Sequence, residues 1–368
     1  MTLDEILQDA VQCGATDIII GGGEPPTYRI GGQLVARGSV SLSDAQVTRM
    51  FYLELTPTQI ERLEGEFQVD VSLARGTDYR FRLNLFFRSG GLAAVIRPVS
   101  LKVPTPEQLK INTGFVRLLE RATGLIIVAG RTGTGKSTLC ASFLEFMNVN
   151  KAVHIVTLED PIEFKFEPKR AIVSQREVRE HAISFESALK AILRQSPDVI
   201  YVGELRDMDT ISATLSVAET GHLVLANLHT ANASQTIHRI VDVFPPSQRG
   251  LINVQLANSL TAVLCQALIP RADEDGLVAA REYMITNPAI QNLIRKNEIH
   301  QIYSAMESGG TADMRTMERS LAELFVAEEI TLEAAQSHAP DQESLQRNIE
   351  RLMELKRGTP QKKSLFAR

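Results

Sequence analysis

Short apolar runs alternate with amphipathic stretches along most of this chain, and the pattern changes near residue 98. Residues 3–13 have the apolar spacing of an amphipathic helix, and residues 42–63 predict a second helical stretch interrupted at Pro57. Residues 67–97 show the alternation and glycine turns of antiparallel strands. These elements predict a small α+β domain over residues 1–97.

Three prolines follow within nine residues: Pro98, Pro104 and Pro106. Proline fixes φ and lacks an N–H, so this stretch favours an extended segment over a helix or a central strand. We therefore place a linker at residues 98–112.

Buried strands separated by helices are indicated after the linker. Short apolar runs occur at residues 125–128, 154–158, 199–202 and 223–228, with helical stretches between them. This order is typical of a mostly parallel sheet covered on both faces, so we predict an α/β domain over residues 113–368. Beyond Pro245 the pattern predicts mainly helices to the end of the chain.

Composition narrows the class of protein only slightly. Hydrophobic residues make up 44% and charged residues 23%, as in ordinary globular domains, and the net charge of −5 favours no nucleic-acid partner. The three cysteines form no CxxC pair, which disfavours a structural zinc site. The N-terminal residues lack the features of a signal peptide and no apolar run approaches 18 residues. We expect a cytoplasmic protein without direct membrane insertion.

A phosphate-binding loop is the most specific motif. GRTGTGKS, residues 130–137, fits G-x-x-x-x-G-K-[ST] and lies between a predicted strand and a predicted helix. Glycines let the main chain approach phosphates closely, and the N–H groups of the loop and of the following helix face the anion. The predicted ATP-binding residues are Gly130, Arg131, Thr132, Gly133, Thr134, Gly135, Lys136, Ser137 and Thr138.

Acidic residues follow two of the predicted strands. TLEDPIEF supplies Glu159, Asp160 and Glu163, and VGELRD supplies Glu204 after a strand. Ligands of open α/β sheets bind at the carboxyl ends of strands, so these acids are candidates to hold Mg²⁺ or to polarise water. Ser137 and Glu204 are the predicted metal ligands. Solvated loop carboxylates are the alternative, and Glu204 departs from the usual motif because Gly203 occupies the aspartate position.

Histidines and arginines add further candidates. His222 and His229 flank one predicted strand, where His229 could sense the terminal phosphate or could be a hydrogen-bonded structural residue. Arg80 and Arg82 alternate with apolar neighbours in the first domain, so both should face away from its core. An arginine that completes a neighbouring nucleotide site requires an oligomer, and a solvated surface arginine does not.

The motifs together resemble a known family. GRTGTGKST, TLEDPIEF, VGELRD and GHLVLANLHT occur in the order of the Walker A, Asp, Walker B and His boxes of the secretion and type IV pilus motor ATPases, the GspE/PilT-type superfamily. SQREV at residues 174–178 and RIVDVFPPSQR at residues 239–249 extend the match. AIQNLIRK, residues 289–296, is similar to the signature segment of its pilus retraction branch.

The resemblance implies a fold, an assembly and a function. The expected fold is a PAS-like N-terminal domain followed by a RecA-like P-loop ATPase domain with a helical C-terminal region. The expected assembly is a cytoplasmic homohexamer, peripheral at the inner membrane, that works with the pilus platform protein and machinery. The cofactors would be ATP and Mg²⁺, and the function would be ATP hydrolysis that powers pilus retraction and twitching motility.

The family roles carry over residue by residue. Glu204 matches the Walker B glutamate, Glu163 the last acid of the Asp box, and His229, with His222, the His box. Arg82 and Arg97 match arginines that reach a neighbouring nucleotide. These matches make Glu204, Glu163, His229, Arg82 and Arg97 the predicted catalytic residues.

The chain departs from the family pattern at a few positions. TDIII at residues 16–20 lacks the usual histidine, and FRS at residues 87–89 replaces the residues usual in the family. Gln291 replaces an arginine of the retraction signature. The alternative functions are an accessory retraction ATPase, a pilus-extension or type II secretion ATPase, a non-catalytic nucleotide-binding scaffold and a nucleic-acid motor. The extension and secretion motors normally carry a paired-CxxC insertion, which this chain lacks.

Overall fold

A computed structural model describes residues 2–39, 41–75, 79–100, 102–273, 276–308 and 313–358. The chain divides into two compact units, Met1–Val103 and Pro104–Arg368. Strand pairing at the end of the first unit continues through Pro98 to Ser100, past the predicted domain end at residue 97. The first unit thus takes up part of the segment that its prolines marked as a linker.

The first unit is an antiparallel sheet with three helices. Its elements are α1 (Leu3–Gln12), β1 (Asp17–Gly21), β2 (Thr27–Ile30), β3 (Gln33–Ala36), α2 (Asp44–Tyr52), α3 (Pro57–Glu66), β4 (Gln68–Arg75), β5 (Tyr79–Arg88) and β6 (Gly91–Ser100). The strand order is β3-β2-β1-β6-β5-β4. Helix residues such as Ile6 and Phe51 pack with Ile18, Leu83 and Ile96 of the sheet in one buried cluster.

Each helix of this unit begins at a capping box. Thr2, Ser43 and Thr56 accept a hydrogen bond from the main-chain N–H three residues later, and the side chain of that later residue bonds back. Pro57 lies in the first turn of α3, where its missing N–H leaves no helical bond unmade. The predicted break between the two helices is confirmed, and it falls just before the proline.

The second unit is an α/β domain. Its first half contains α4 (Thr113–Leu118), β7 (Gly124–Ala129), α5 (Lys136–Asn150), β8 (His154–Glu159), β9 (Ile172–Glu177), α6 (Phe185–Ile192), β10 (Val199–Val202), α7 (Met208–Glu219) and β11 (Leu223–Leu228). Its second half contains α8 (Ala233–Asp242), α9 (Pro246–Ser259), β12 (Leu260–Pro270), β13 (Leu277–Ile285), α10 (Pro288–Arg295), α11 (Ile302–Ser308), α12 (Met317–Val326), α13 (Leu332–His338) and α14 (Gln342–Gly358).

The sheet of this unit has the order β13-β12-β7-β11-β10-β8-β9. Every neighbouring pair is parallel except β12 and β13. Ile126 and Ile127 are adjacent on β7 yet belong to different buried clusters, so side chains on both faces are covered. The prediction of a mostly parallel, doubly covered sheet is confirmed.

The prediction of a mainly helical region beyond Pro245 is wrong for residues 260–270 and 277–285. These residues form β12 and β13, two long strands that complete one side of the sheet. The run LTAVLCQALIP is apolar enough for a buried helix or a buried strand, and periodicity alone does not separate them. Pairing with β7 decides the outcome, because it satisfies the main chain of β12 within the sheet. The described residues between Pro288 and Gly358 are mainly helical, as predicted.

Across the described ranges, no helix combines the length and the hydrophobicity needed to cross a bilayer.

Candidate nucleotide site

The loop between β7 and α5 is built for close approach by a ligand. β7 is fully buried, and α5 begins at Lys136 directly after Gly135. Gly135 has φ of 80° and no side chain caps the helix. The first N–H groups of α5 are therefore left without a capping side chain, as in helix termini that bind anions.

The glycines of the loop are required by tight packing against β12. A Cβ atom at Gly130 would lie 2.5 Å from the main-chain oxygen of Gln266, and the φ of 153° already disfavours a side chain. A Cβ atom at Gly135 would lie 3.0 Å from Nε2 of the same glutamine. Larger residues at either position would force the loop away from the sheet.

The side chain of Lys136 points into its own loop, and the residue is 8% exposed. Its Nζ donates to the carbonyl oxygens of Gly130 at 2.7 Å and Arg131 at 2.9 Å, and lies 3.2 Å from Nδ1 of His229. Burial lowers the pKa of Lys136, while the charges of Glu204 and Glu163 oppose that shift. Both carboxylates therefore favour the charged form of Lys136.

Glu204 and His229 continue the polar chain from Lys136. Oε1 of Glu204 lies 3.0 Å from Nε2 of His229, and Nε of Arg206 donates to Oε2 at 2.6 Å. Arg206 Nη1 also lies 3.5 Å from Asp160. Glu204 follows β10 and His229 follows β11, and these parallel neighbours end at the same edge of the sheet. His229 thus bridges the loop lysine and the acid.

The Asp box contributes a buried carboxyl as well as a more accessible one. Glu159 ends β8, is 7% exposed, and accepts hydrogen bonds from Thr157 Oγ1 at 2.7 Å and Gln175 Nε2 at 3.1 Å. Burial raises the pKa of Glu159 to about 7, against the opposing effect of these donors. Glu163 is partly exposed in the following loop, and its main-chain N–H faces the Glu159 carboxylate.

The raised pKa of Glu159 has a defined consequence for stability. The folded chain binds its proton more tightly than the unfolded chain, so the contribution of this group to stability is complete below pH 4.5. That contribution is lost as the pH rises through about 7. Glu159 therefore acts as a buried support of the Asp box, and the partly exposed Glu163 is better placed to meet a ligand.

Three further predicted residues belong to other elements of the chain. His222 is at the start of β11, at the opposite end from His229, where its Nδ1 lies 3.2 Å from Thr220 Oγ1 and from the Val217 carbonyl oxygen. Arg82 on β5 and Arg97 on β6 face each other across strands of the first unit. Arg97 donates to Oδ1 of Asp17 at 2.7 and 3.0 Å.

Sequence reasoning missed the polar residues beneath and behind the loop. Gln266 on β12 donates from Nε2 to the carbonyl oxygen of Thr134 at 2.6 Å. Cys140 donates to Oδ1 of Asn227 at 2.9 Å, and Asn227 donates to the hydroxyl of Tyr201 at 2.9 Å. One feature of the sequence could have indicated Gln266, since it is the only side-chain amide in the apolar run of β12.

Over the described ranges, no group of three or more His, Cys, Asp or Glu side chains is placed to hold a metal ion. Magnesium in nucleotide sites usually takes one or two protein oxygens and keeps phosphate and water ligands. Ser137 on the first turn of α5 and Glu204 are oxygen donors of that kind.

A family model described as Type II/IV secretion system protein matches residues 1–363. The chain belongs to this family. The resemblance drawn from the four sequence motifs is confirmed.

The individual relatives and solved structures that match this chain include several pilus ATPases. The Type IV pilus retractation ATPase PilT of Pseudomonas aeruginosa is 40% identical over 339 residues, which cover 92% of this chain and 98% of the relative. The Type IV pilus ATPase PilU of the same organism is 34% identical over 339 residues, which cover 92% of this chain and 89% of the relative. The crystal structure of the pilus retraction motor PilT and bound ADP has a TM-score of 0.87 and 41% identity, covering 94% of this chain and 99% of that one.

Proposed function

We propose that this chain is an ATP-hydrolysing motor that powers retraction of a type IV pilus. The observation that carries the proposal is the chain of contacts from Lys136 through His229 to Glu204 at the mouth of the phosphate loop. The full-length similarity to the PilT proteins supports retraction as the work that hydrolysis drives. The family match over residues 1–363 includes the signature helix α10 as well as the nucleotide site.

The proposed nucleotide site comprises the loop and the first turn of α5. In the structure the Lys136 ammonium group is satisfied by two loop carbonyls, and phosphate oxygens of ATP are the acceptors that would replace them. The loop N–H groups supply further donors. The residues assigned to ATP are Gly130, Arg131, Thr132, Gly133, Thr134, Gly135, Lys136, Ser137 and Thr138.

We assign Mg²⁺ to Ser137 and Glu204, the oxygen donors at the edge of the loop. An ion held by these residues would supply positive charge to offset the charge that develops on the phosphates. Glu204 and Glu163 are the proposed groups that orient the attacking water. His229, held between Lys136 and Glu204, is the proposed sensor of the terminal phosphate because any shift of the lysine reaches it directly.

The finer architecture is also proposed. We take the first unit as a PAS-like domain and the second as a RecA-like ATPase domain, joined within residues 98–112. The working form is a homohexamer in which Arg82 and Arg97 of one subunit complete the nucleotide site of the next. Closure of the first unit against a neighbour, followed by release after hydrolysis, would convert chemistry into movement.

Replacing Arg82 with alanine tests the arginine role. We expect turnover to fall by about 10²-fold or more while the affinity for nucleotide changes little, because an arginine supplied to the transition state acts on kcat. Phosphate release and ADP binding are the measurements. Arg62→Ala is the control, since Arg62 lies on α3 and pairs with Glu66 at 3.5 Å on the surface of the same unit. Equal turnover in the Arg82 variant and the control would remove Arg82 from this role.

The proposed location is the cytoplasmic face of the inner membrane, reached through the pilus platform protein. The signature helix α10 buries Ile290 and Ile294 against the core and leaves Asn292, Arg295 and Lys296 exposed. This polar face is available to transmit movement to the machinery, consistent with a helix that serves retraction rather than hydrolysis.

Deletion of the gene separates retraction from the alternatives. Loss of a retraction motor should leave cells with excess surface pili and no twitching, and the chain expressed from a plasmid should restore movement. Cells without pili would indicate an extension motor instead. Partial twitching, lost only with a second retraction ATPase, would indicate an accessory role.

A further inference from the structure

A pair of buried polar residues stands directly behind the phosphate loop. Gln266 on β12 and Arg281 on β13 are opposite each other in the antiparallel register. Nε of Arg281 donates to Oε1 of Gln266 at 2.6 Å, and Nε2 of Gln266 donates to the Thr134 carbonyl oxygen at 2.6 Å. The three groups form one continuous chain from an edge strand of the sheet to the loop.

Gln266 touches the loop at more than one point. A Cβ atom added at Gly130 would meet its main-chain oxygen, and a Cβ atom added at Gly135 would meet its side-chain nitrogen. Its contacts therefore involve both glycines that frame the loop as well as Thr134. A shift of Gln266 has to move the loop, because little space separates them.

Arg281 fixes which way the glutamine amide points. A guanidinium group only donates hydrogen bonds, so the amide oxygen of Gln266 must face Arg281. The amide nitrogen is then directed at the Thr134 carbonyl, and that carbonyl is drawn toward the sheet. With the amide turned over, two oxygens would face each other at the loop and two donors would face each other behind it.

The guanidinium is held where a charge is costly. Arg281 is 6% exposed, and no carboxylate is among the described groups that act on its charge. Burial lowers the pKa of Arg281. An amide or hydrocarbon side chain at position 281 would avoid the cost of removing a charge from water. Packing alone therefore gives no reason for an arginine at this position. Its main-chain N–H, by contrast, is satisfied by Ser320 Oγ at 2.9 Å.

We propose that Arg281 and Gln266 are positioning residues that hold the phosphate loop in its nucleotide-binding conformation. Neither touches the nucleotide: Gln266 draws the Thr134 carbonyl back, and Arg281 sets the direction of the Gln266 amide. The inference deepens the proposed function and rests on it, since it concerns how tightly the same loop holds ATP and ADP.

Gln266→Glu separates positioning from simple structural support. The glutamate keeps, and strengthens, the contact with Arg281 but turns an oxygen toward the Thr134 carbonyl. We expect the Kd for ADP to rise about tenfold, corresponding to about 1.4 kcal/mol, while the Tm of the nucleotide-free protein stays unchanged or rises. A lower Tm with an unchanged Kd would show a structural role and overturn the proposal.

A second pair of variants keeps the test decisive if Gln266→Glu fails to fold. Arg281→Met should raise the Kd for ADP about threefold or more because the amide is free to turn, and Arg281→Lys should restore part of the affinity. The control is Arg315→Met, which removes a guanidinium 5.1 Å from the Tyr283 ring but with no contact to Gln266. An equal loss of affinity in the control, whose residue 315 pairs with Tyr283 of β13, would assign the effect to the surroundings of β13 and contradict the proposal.

The proposed function and the positioning role can be refuted independently. Wild-type protein that binds neither ATP nor ADP would refute the proposed function. Wild-type protein that binds both, with Gln266→Glu and Arg281→Met indistinguishable from it, would refute only the positioning role.

Discussion

Replacing Lys136 with alanine is expected to lower ATP turnover by on the order of 10²–10³-fold, the usual effect of removing one preorganised charge from a transition state. The ammonium group is buried, points into its own loop and lies within reach of His229. No neighbouring cation in that loop can take its place, since Arg131 is exposed at the start of the turn. Phosphate release measured at saturating ATP, together with ADP binding, quantifies the loss.

Lys151 provides a matched control at the other end of the same helix. Its Nζ also donates to two main-chain oxygens, of Leu119 at 2.8 Å and Arg121 at 3.2 Å, and burial lowers its pKa as well. Lys151→Ala should cost stability but leave turnover per folded molecule within about twofold. A comparable loss of turnover in both variants would mean that Lys136 acts through stability and not at the nucleotide.

Glu204→Gln is expected to retain ATP binding and to reduce hydrolysis by about 10²-fold or more. The amide keeps the size of the side chain but loses the charge that pairs with Arg206 and faces His229. It can neither ligate Mg²⁺ well nor polarise water. The protein should therefore hold unhydrolysed ATP, which chromatography of the bound nucleotide after release would detect.

The control for this change is Glu219→Gln. Glu219 ends α7, accepts a hydrogen bond from Gln255 at 3.0 Å and has no contact with the loop. Its variant should hydrolyse ATP at the wild-type rate. Hydrolysis at the wild-type rate by Glu204→Gln as well would exclude Glu204 from the reaction, and Glu163 would then be the remaining acid to test.

The strands that carry the site could be predicted because their apolar runs are short and bounded. β7, β10 and β11 each appear in the sequence as a run of four to six mainly apolar residues between predicted helices. The loop motif then fixes the position of Lys136, and parallel order places Glu204 and His229 at the same edge. These elements needed only local patterns and one general rule of α/β sheets.

The parts that could not be predicted depend on contacts between distant residues. The sequence of β12 is equally compatible with a buried helix, and only its pairing with β7 and β13 shows that it is a strand. The support of the loop by Gln266 requires the exact register of that pairing, because a shift of one residue would place Cys265 there. Likewise, burial raises the pKa of Glu159 and the hydrogen bond from Gln175, sixteen residues away in the chain, opposes that shift, and both depend on how β8 and β9 pack.

Steady-state phosphate release by the purified protein, with ATP and with or without Mg²⁺, tests the central claim most directly. The contacts that join Lys136, His229 and Glu204 predict turnover that requires Mg²⁺ and disappears in Lys136→Ala. Tight binding of ATP with no release of phosphate under any of these conditions would contradict the account and would identify a nucleotide-binding scaffold instead of a motor.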